Sequence, residues 1–316
     1  MEQQSTVIGY AQQILSQVRK AVVGKDDVLL WALSAILAGG HILMEDIPGV
    51  GKTTMALAFS KAMSLQQSRM QFTPDVLPSD VTGYSAPDQL TGQMVYRPGA
   101  VLCNLFLADE LNRATSRTQS ALLEAMEEGQ VTVDGVSHPL PVPFIVIATQ
   151  NPTGAAGTQL LPDSQIDRFM VRLSLGYPAP SDEIAMVRTR QEADPLTQIT
   201  SVITAQQLET LRGLVQKTYI GEEVTAYAVD LVQATRTDDR LLRGASPRAT
   251  LALVAMSKAM AQLRGRSYVI PKDVQDAYIT TLAHRLEMAP GAIGQGMTPN
   301  GILEQLLAKI PAPQLR

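Results

Sequence analysis

A lysine and two threonines, Lys52-Thr53-Thr54, directly follow a loop of small residues, Pro48-Gly49-Val50-Gly51. Glycines let a loop curl so that successive backbone N–H groups point inward at phosphate oxygens. At the end of such a loop a lysine ammonium binds the β- and γ-phosphates of a nucleotide, and a threonine hydroxyl binds Mg²⁺. These residue types at this spacing therefore predict a nucleotide phosphate site with a magnesium ion.

The loop departs from the pattern G-x-x-x-x-G-K-[ST] at the first glycine, which Asp46 replaces. Aspartate is one of the few residues that tolerate left-handed backbone angles, so the turn can still form. We therefore count Asp46 among the nucleotide-binding residues. The alternative is a glycine-rich turn between a strand and a helix that binds no ligand.

The elements on either side of the loop position it. The apolar run Ile42–Met44 predicts a buried strand, and a helical pattern runs from Thr54 to about Leu65. The amino end of that helix adds the positive end of its dipole to the phosphate site. Upstream, the small apolar turn Val22-Val23-Gly24 separates two predicted helices and either flanks an adenine ring or only connects the helices.

A second strand pattern, Leu105–Ala108, ends in two carboxylates, Asp109 and Glu110. Downstream of a phosphate loop, the first acid is expected to hold Mg²⁺ and the second to orient and activate the attacking water. The alternative is a strand that ends in solvated acids. The position after a phosphate loop favours the catalytic interpretation.

Two polar residues farther along the chain are also candidates. The β-branched run Phe144–Thr149 predicts a central parallel strand, and Asn151 follows it, where an amide can bind the γ-phosphate or the water. Arg248 follows a predicted cap, Ser246, and a proline at the first helical position. A cation in a first helical turn is disfavoured by the dipole, which suggests a phosphate partner. The alternatives are a turn residue for Asn151 and a pair with a surface acid for Arg248.

The order of the elements predicts an α/β fold. Strands separated by helices indicate a mostly parallel, five-stranded sheet with helices on both faces and a nucleotide beyond the strand tips. From about Gly176 strand patterns give way to helical ones, and Pro178 and Pro180 mark a linker. We therefore divide the chain into an α/β core, residues 1–178, and an all-α lid, residues 179–316.

Composition narrows the class of protein. The 316 residues carry 26 basic and 30 acidic side chains, a net charge of −4, which gives no electrostatic case for nucleic acid or for an anionic membrane. The single cysteine, Cys103, cannot form an internal disulfide, as is typical of a reducing compartment. The longest apolar stretch, Val28–Ala38, is too short to span a bilayer. We expect a soluble cytoplasmic protein.

Six motifs in this order resemble those of the MoxR family of AAA+ ATPases: EDIPGVGKTT, NLFLADELNRA, TQSALLEAMEEGQVTVDG, PFIVIATQNP, LPDSQIDRF and GASPRA. The resemblance covers essentially the whole chain. It implies a Walker A loop at Pro48–Thr54, a Walker B pair at Asp109 and Glu110, sensor 1 at Asn151, an arginine finger at Arg168 and sensor 2 at Arg248. MoxR-like loops often carry aspartate at the position of Asp46.

The resemblance also implies an activity and partners. ATP would bind with Mg²⁺ between core and lid, and Arg248 would read the γ-phosphate there. Arg168 would act on the nucleotide of the neighbouring subunit in a ring, which the family forms as a hexamer. Residues 82–99 resemble the insert in the second helix of this clade, and the hairpin 130–143 resembles the insertion before sensor 1. The family implies chaperone-like remodelling or maturation of a client protein complex, often with a partner that carries a von Willebrand factor A domain.

Other functions fit the same motifs. A nucleic-acid motor is disfavoured because the hairpin 130–143 contains no lysine or arginine and residues 82–99 contain only Arg97. A nucleotide-gated scaffold with little hydrolysis is disfavoured by the presence of Glu110, Asn151 and Arg168 together. The ATPase subunit of a metal chelatase would differ only in its client. Met94 and Tyr96 are the candidates for contacting a client.

Overall fold

The computed structural model describes residues 2–150 and 161–314. Within these residues the chain forms the following strands: β1 (Ile42–Glu45), β2 (Gln67–Gln71), β3 (Gly83–Pro87), β4 (Met94–Pro98), β5 (Leu105–Asp109), β6 (Gln130–Val133), β7 (Val136–Pro139), β8 (Ile145–Gln150), β9 (Val171–Leu173), β10 (Leu241–Arg243) and β11 (Glu287–Met288).

The helices of the described residues are α1 (Glu2–Val18), α2 (Asp26–Leu37), α3 (Lys52–Ala62), α4 (Pro78–Thr82), α5 (Ser116–Glu128), α6 (Asp163–Ile166), α7 (Pro180–Glu192), α8 (Ala205–Gln216), α9 (Glu222–Arg236), α10 (Pro247–Leu263), α11 (Pro271–Leu282), α12 (Pro290–Gly294) and α13 (Pro299–Lys309). Short 3₁₀ turns occur at Leu111–Arg113, Pro195–Gln198 and Ala283–Arg285. None of these helices has the length and apolar character that crossing a bilayer requires.

Five strands form one parallel sheet in the order β2-β5-β8-β1-β9. Helices cover both faces, so the central strand β8 is buried along its whole length. Parallel pairing brings the carboxyl ends of the strands to one edge, where Glu45 is paired with Gln150 and Asp109 with Gln71. The predicted α/β fold is confirmed, and this edge carries the phosphate loop.

Two hairpins project from the sheet. In the hairpin β6–β7, Asp134 and Gly135 form the turn with φ values of 50° and 77°, the backbone that an Asp-Gly hairpin turn needs. The second hairpin, β3–β4, lies in the predicted insert. The rings of Tyr96 and His138 stack at 3.7 Å between the hairpins, so the two insertions form one surface.

The second half of the chain is mostly helical, with two departures from prediction. Residues 180–192 form the helix α7, which begins at Pro180, one of the two prolines that we predicted to mark a linker; no helix was predicted at this place. The strands β10 and β11 form a small antiparallel sheet in the region that we predicted to be all-α. One continuous apolar core includes Met44 of the sheet and Leu253 and Tyr278 of the helical region, so the two parts pack directly together.

Candidate nucleotide-binding site

The loop between β1 and α3 has the backbone that glycine permits. Gly49 and Gly51 have φ values of 88° and 100°, and Gly51 is the N-cap of α3. These values lie in the left-handed region that L-residues with a side chain avoid. Asp46 does not share that conformation, so the left-handed backbone that we allowed for it is not used. The loop curls at its glycines rather than at the aspartate.

Asp46 holds the loop to the segment after β9. Its carboxylate accepts hydrogen bonds from the hydroxyl of Ser174 at 2.7 Å and from the N–H groups of Leu175 and Gly176 at 2.6 and 3.0 Å. The residue is 6% exposed. Three donors satisfy a buried carboxylate well, so the aspartate anchors the loop to the chain that leads into α7. A contact between Asp46 and nucleotide stays a prediction.

Lys52 lies inside the loop. Its Nζ donates to the carbonyls of Asp46 at 2.6 Å and Ile47 at 3.3 Å. Burial lowers the pKa of Lys52, and the nearby carboxylates of Asp46, Asp109 and Glu110 oppose that shift. A phosphate oxygen is a stronger acceptor than a neutral carbonyl, so the ammonium is ready to exchange these carbonyls for a phosphate.

The acids after β5 are organised by Thr149, the residue before the end of β8. The Thr149 hydroxyl donates to Asp109 at 2.6 Å and accepts the N–H of Glu110 at 2.9 Å. Glu110 has a φ of 56°, a strained value for a residue with a side chain, and its carboxylate pairs with Arg113 at 2.9 Å. The threonine thus fixes both acids. Sequence reasoning missed it, although its place at a strand tip was a signal.

Thr53 and Asp109 line the same cavity at the strand tips, which has a volume of about 310 Å³. A hydroxyl and a carboxylate are the hard oxygen donors that Mg²⁺ prefers, so these residues fit the ion. The second oxygen of Asp109 accepts from Arg69 of β2 at 2.7 Å, so this oxygen already attracts a cation. We had not singled out Arg69.

A second cavity of about 290 Å³ adjoins the first and shares the loop residues Pro48, Gly49, Gly51 and Thr54 with it. Its remaining wall is mostly apolar and includes Val50 of the loop and Val22 and Val23 of the turn that we expected either to flank an adenine ring or only to connect two helices. A contact between this turn and adenine stays a prediction. Gly24 does not line it. A β-carbon on Gly24 would lie 1.9 Å from the carboxylate of Asp182, so this glycine instead lets α7 approach the turn.

Arg168 and Arg248 lie together at the opposite edge of the sheet. Both form ion pairs with Glu127 at the end of α5, Arg168 at 3.5 Å, and Arg168 also donates to the Leu123 carbonyl at 2.5 Å. Arg168 precedes β9, and the N–H of Met170 donates to the carbonyl before β1. Both arginines are therefore at the amino ends of the parallel strands, whereas the phosphate loop follows their carboxyl ends.

This position departs from the expectation that Arg248 reads the γ-phosphate of its own chain's nucleotide. Neither arginine lines the cavities around the phosphate loop. Four residues of β1 separate the two edges, which is about 13 Å at the rise of a strand. In the isolated chain Arg248 pairs with the surface acid Glu127. This is the alternative to a phosphate partner that the sequence also allowed.

Buried contacts hold the segment around Arg168. The Arg285 guanidinium donates to the carbonyls of Asp167 at 2.8 Å and Phe169 at 2.7 Å and pairs with the Asp167 carboxylate. Ser246 donates to the same carboxylate at 2.8 Å. We predicted that Ser246 caps α10, but its side chain makes no cap hydrogen bond. It ties the start of α10 to the Arg168 segment instead. Asn151 lies outside the described residues, so its predicted role is unchanged.

Comparisons with known proteins agree with this fold and site. Residues 41–171 match the model of the ATPase family associated with various cellular activities (AAA), and residues 233–306 match the AAA lid domain. The crystal structure of a putative ATPase from Cytophaga hutchinsonii superposes with a TM-score of 0.92 at 35% identity, covering 99% of this chain and 98% of that one. The fold is thus that of an AAA ATPase.

Relatives along the full length narrow the class. Chaperone MoxR1 of Mycobacterium tuberculosis is 34% identical over 96% of this chain and 82% of its own, and Protein MoxR of Methylorubrum extorquens is 27% identical over 94% and 93%. Uncharacterized protein YeaC of Bacillus subtilis is 41% identical over 96% of this chain and 94% of its own. The chain belongs to the MoxR family of AAA+ ATPases.

Proposed function

We propose that this chain hydrolyses ATP with Mg²⁺ in a ring, in which each active site combines two neighbouring protomers. The observation that carries the proposal is the position of Arg168 and Arg248 beside Glu127, across the sheet from the phosphate loop of the same chain. The family resemblance assigns both arginines to a nucleotide, yet they lie away from the phosphate loop of their own chain. They are therefore suited to bind the nucleotide of a neighbouring chain.

One half of each active site comes from the chain that binds the nucleotide. The loop N–H groups and Lys52 bind the β- and γ-phosphates. Thr53 and Asp109 would hold Mg²⁺, which would neutralise charge on the phosphate oxygens. Glu110 accepts a proton from the attacking water. In the structure Oε2 of Glu110 pairs with Arg113 at 2.9 Å. A carboxylate accepts several hydrogen bonds, so this pair orients Glu110 and is compatible with its binding of water.

The other half comes from the neighbour. Arg168 and Arg248 of the adjacent protomer exchange Glu127 for the γ-phosphate and stabilise the negative charge of the transition state. Head-to-tail contacts form a closed ring when the rotation from one protomer to the next closes on itself, and the family resemblance suggests a hexamer. Loss of the γ-phosphate releases both arginines, and because Ser246 ties α10 to the Arg168 segment, this release moves the helical region.

The motion would remodel a client protein complex in the cytoplasm, with a von Willebrand factor A domain protein as a partner. The chaperone name of the Mycobacterium tuberculosis relative supports this role. The exposed side chains of the hairpin β3–β4, among them Met94, are the candidates for contacting the client.

Mixing of variants tests the shared site. ATPase rate per chain should rise with protein concentration, and Glu110→Gln and Arg168→Ala should each be nearly inactive. A mixture of the two should recover part of the rate, because a chain with Glu110 can receive Arg168 from its neighbour. The matched control is a mixture of Glu110→Gln and Lys52→Ala, which should recover nothing, since both changes damage the same half. Full activity in dilute monomer or in Arg168→Ala would contradict the proposal.

A further inference from the structure

We propose that α7 closes the nucleotide site of its own chain, with Arg190 binding the phosphates and Met186 packing on the base. This inference rests on the proposed function, namely that the two cavities at the phosphate loop hold ATP. It supplies an arginine from the same chain, on the side of the sheet from which Arg168 and Arg248 are absent.

One face of α7 lies over the site. Glu183, Met186 and Arg190 line the cavity of about 290 Å³, and they follow one another at the spacing i, i+3, i+7 of a single helix face. Arg190 alone among them also lines the cavity that contains Lys52, Thr53 and Asp109. It therefore stands where the two cavities meet, at the level of the phosphates.

The helix has no buried face of its own. None of the described side chains of α7 is buried, although a helix of 13 residues in a folded protein normally buries one face. The outer residues Ile184 and Val187 are exposed, and the inner residues face the cavities. A bound nucleotide would supply the surface on which the inner face packs.

Both ends of α7 are nevertheless fixed to the elements that form the site. Before it, Asp46 holds Leu175 and Gly176, and Lys25 Nζ donates to the Tyr177 carbonyl at 2.7 Å. After it, Lys61 of α3 donates to the Leu196 carbonyl at 2.8 Å. The helix is thus held across the cavity by the phosphate loop, the Val22-Val23-Gly24 turn and α3.

Charge favours a phosphate as the partner of Arg190. The guanidinium forms no hydrogen bond or ion pair with any residue in the described part of the chain. The other arginine in this cavity, Arg69, is bound to Asp109. A planar guanidinium matches phosphate oxygens with two parallel N–H donors, and it stands beside the N–H groups of the loop and Lys52.

The other two residues suit the nucleoside. Met186 faces the apolar wall that contains Val22 and Val23, and a flexible thioether packs well against an aromatic ring. The Glu183 carboxylate lies in the same cavity and can only accept, so it would take an O–H of the ribose or an N–H of the base. Along α7, the acidic Glu183 and the apolar Met186 thus lie on the nucleoside side, and the basic Arg190 lies on the phosphate side.

Calorimetric titration with ATP, ADP and adenosine tests the assignment. Arg190→Met should weaken ATP and ADP binding about tenfold and leave adenosine unchanged, because the lost contact is a charge-assisted hydrogen bond to phosphate. Arg190→Lys should recover part of the affinity. The matched control is Arg188→Met on the same helix, which lines neither cavity and should bind as wild type does. Met186→Ala should weaken all three ligands.

Three outcomes separate this inference from the proposal on which it rests. If wild type and Lys52→Ala bind ATP equally weakly, the nucleotide site itself is wrong. If Lys52→Ala loses ATP while Arg190→Met keeps it, only the role of α7 is overturned. The titrations are done at concentrations where sedimentation finds monomer and again where it finds oligomer. An Arg190 effect that appears only in the oligomer would overturn the assignment to the same chain.

Discussion

The hydroxyl of Thr149 donates a hydrogen bond to the carboxylate of Asp109 over 2.6 Å, and its oxygen also accepts the N–H of Glu110. Thr149 is 1% exposed, so water cannot replace these contacts. Through one hydroxyl, the central strand β8 sets the orientation of the acid expected to hold Mg²⁺ and of the acid expected to activate water. The strained φ of Glu110 is held by the same contact.

Thr149→Val keeps the shape and removes the hydroxyl. ATPase activity should fall by about tenfold to a hundredfold, as it does when a residue that orients a metal ligand is lost. The partly buried N–H of Glu110 would lose its acceptor, which costs about 1 kcal/mol of folding free energy, the lower end of the range for a fully buried donor. Steady-state rates over a Mg²⁺ titration and urea unfolding measure the two effects. Thr149→Ser is the control and should stay close to wild type; equal losses in both variants would contradict the role of the hydroxyl.

Asp46→Gly would restore the general phosphate-loop pattern, yet it should destabilise this protein. It removes an acceptor of three hydrogen bonds, from Ser174, Leu175 and Gly176, and we expect a loss of about 3 kcal/mol, since bonds to a charged group contribute about 1.5–3 kcal/mol each and are not additive. Urea unfolding measures the loss. Asp230→Asn, a change at an exposed acid of α9, should unfold as wild type does. A more stable Asp46→Gly protein would show that the anchor is not needed.

Much of the α/β core could be predicted from the sequence. The wholly apolar and largely β-branched run at Ile145–Ala148 predicts a buried strand, and the parallel sheet then brings Asp109 and Lys52 to one edge. The positions of side chains that depend on tertiary packing could not be predicted from the sequence. Sequence pattern alone does not reveal that Arg248 lies across the sheet from its own phosphate loop.

The helix α7 was missed for a related reason. Helix prediction depends on a periodic apolar face, and the inner face of α7 carries Glu183 and Arg190 around a single Met186. Its two larger aliphatic residues point outward and are more than half exposed. A helix that packs on a ligand cavity instead of the core leaves no such pattern, and residues 178–180 with two prolines resembled a linker.

His41 makes the free energy of unfolding depend on pH below neutrality. Its Nδ1 accepts the N–H of Val146 at 3.0 Å and its Nε2 donates to the Met126 carbonyl at 3.2 Å, a pattern that requires the neutral ring. Burial lowers the pKa of His41 from 6.5 to about 4. Between these values the unfolded chain binds a proton that the folded chain does not, so stability falls as the pH falls through 6.5 towards 4.

From this residue we expect a loss of about 2 kcal/mol in the free energy of unfolding on going from pH 7.5 to pH 5, since each pKa unit corresponds to about 1.4 kcal/mol. His41→Asn should be less stable at pH 7.5, because it loses the contact to Met126, and should lose less stability on acidification. Urea unfolding at the two pH values gives both numbers. An identical acid loss in the two proteins would remove His41 as the cause.

The ion pairs of Glu127 with Arg168 and Arg248 oppose assembly of the shared active site. Arg168 and Arg248 must leave Glu127 before they can bind a neighbour's γ-phosphate, and the three side chains are roughly a third exposed, so the pairs are each worth at most about 1 kcal/mol. Glu127→Gln removes the competing charge. The protein concentration that gives half-maximal ATPase activity should therefore fall by about three- to fivefold at low salt, and the difference should shrink as salt rises. Glu128→Gln, the neighbouring exposed acid, is the matched control and should leave the midpoint unchanged. A higher midpoint in Glu127→Gln would mean that Glu127 orients the two arginines for the neighbour rather than competing for them.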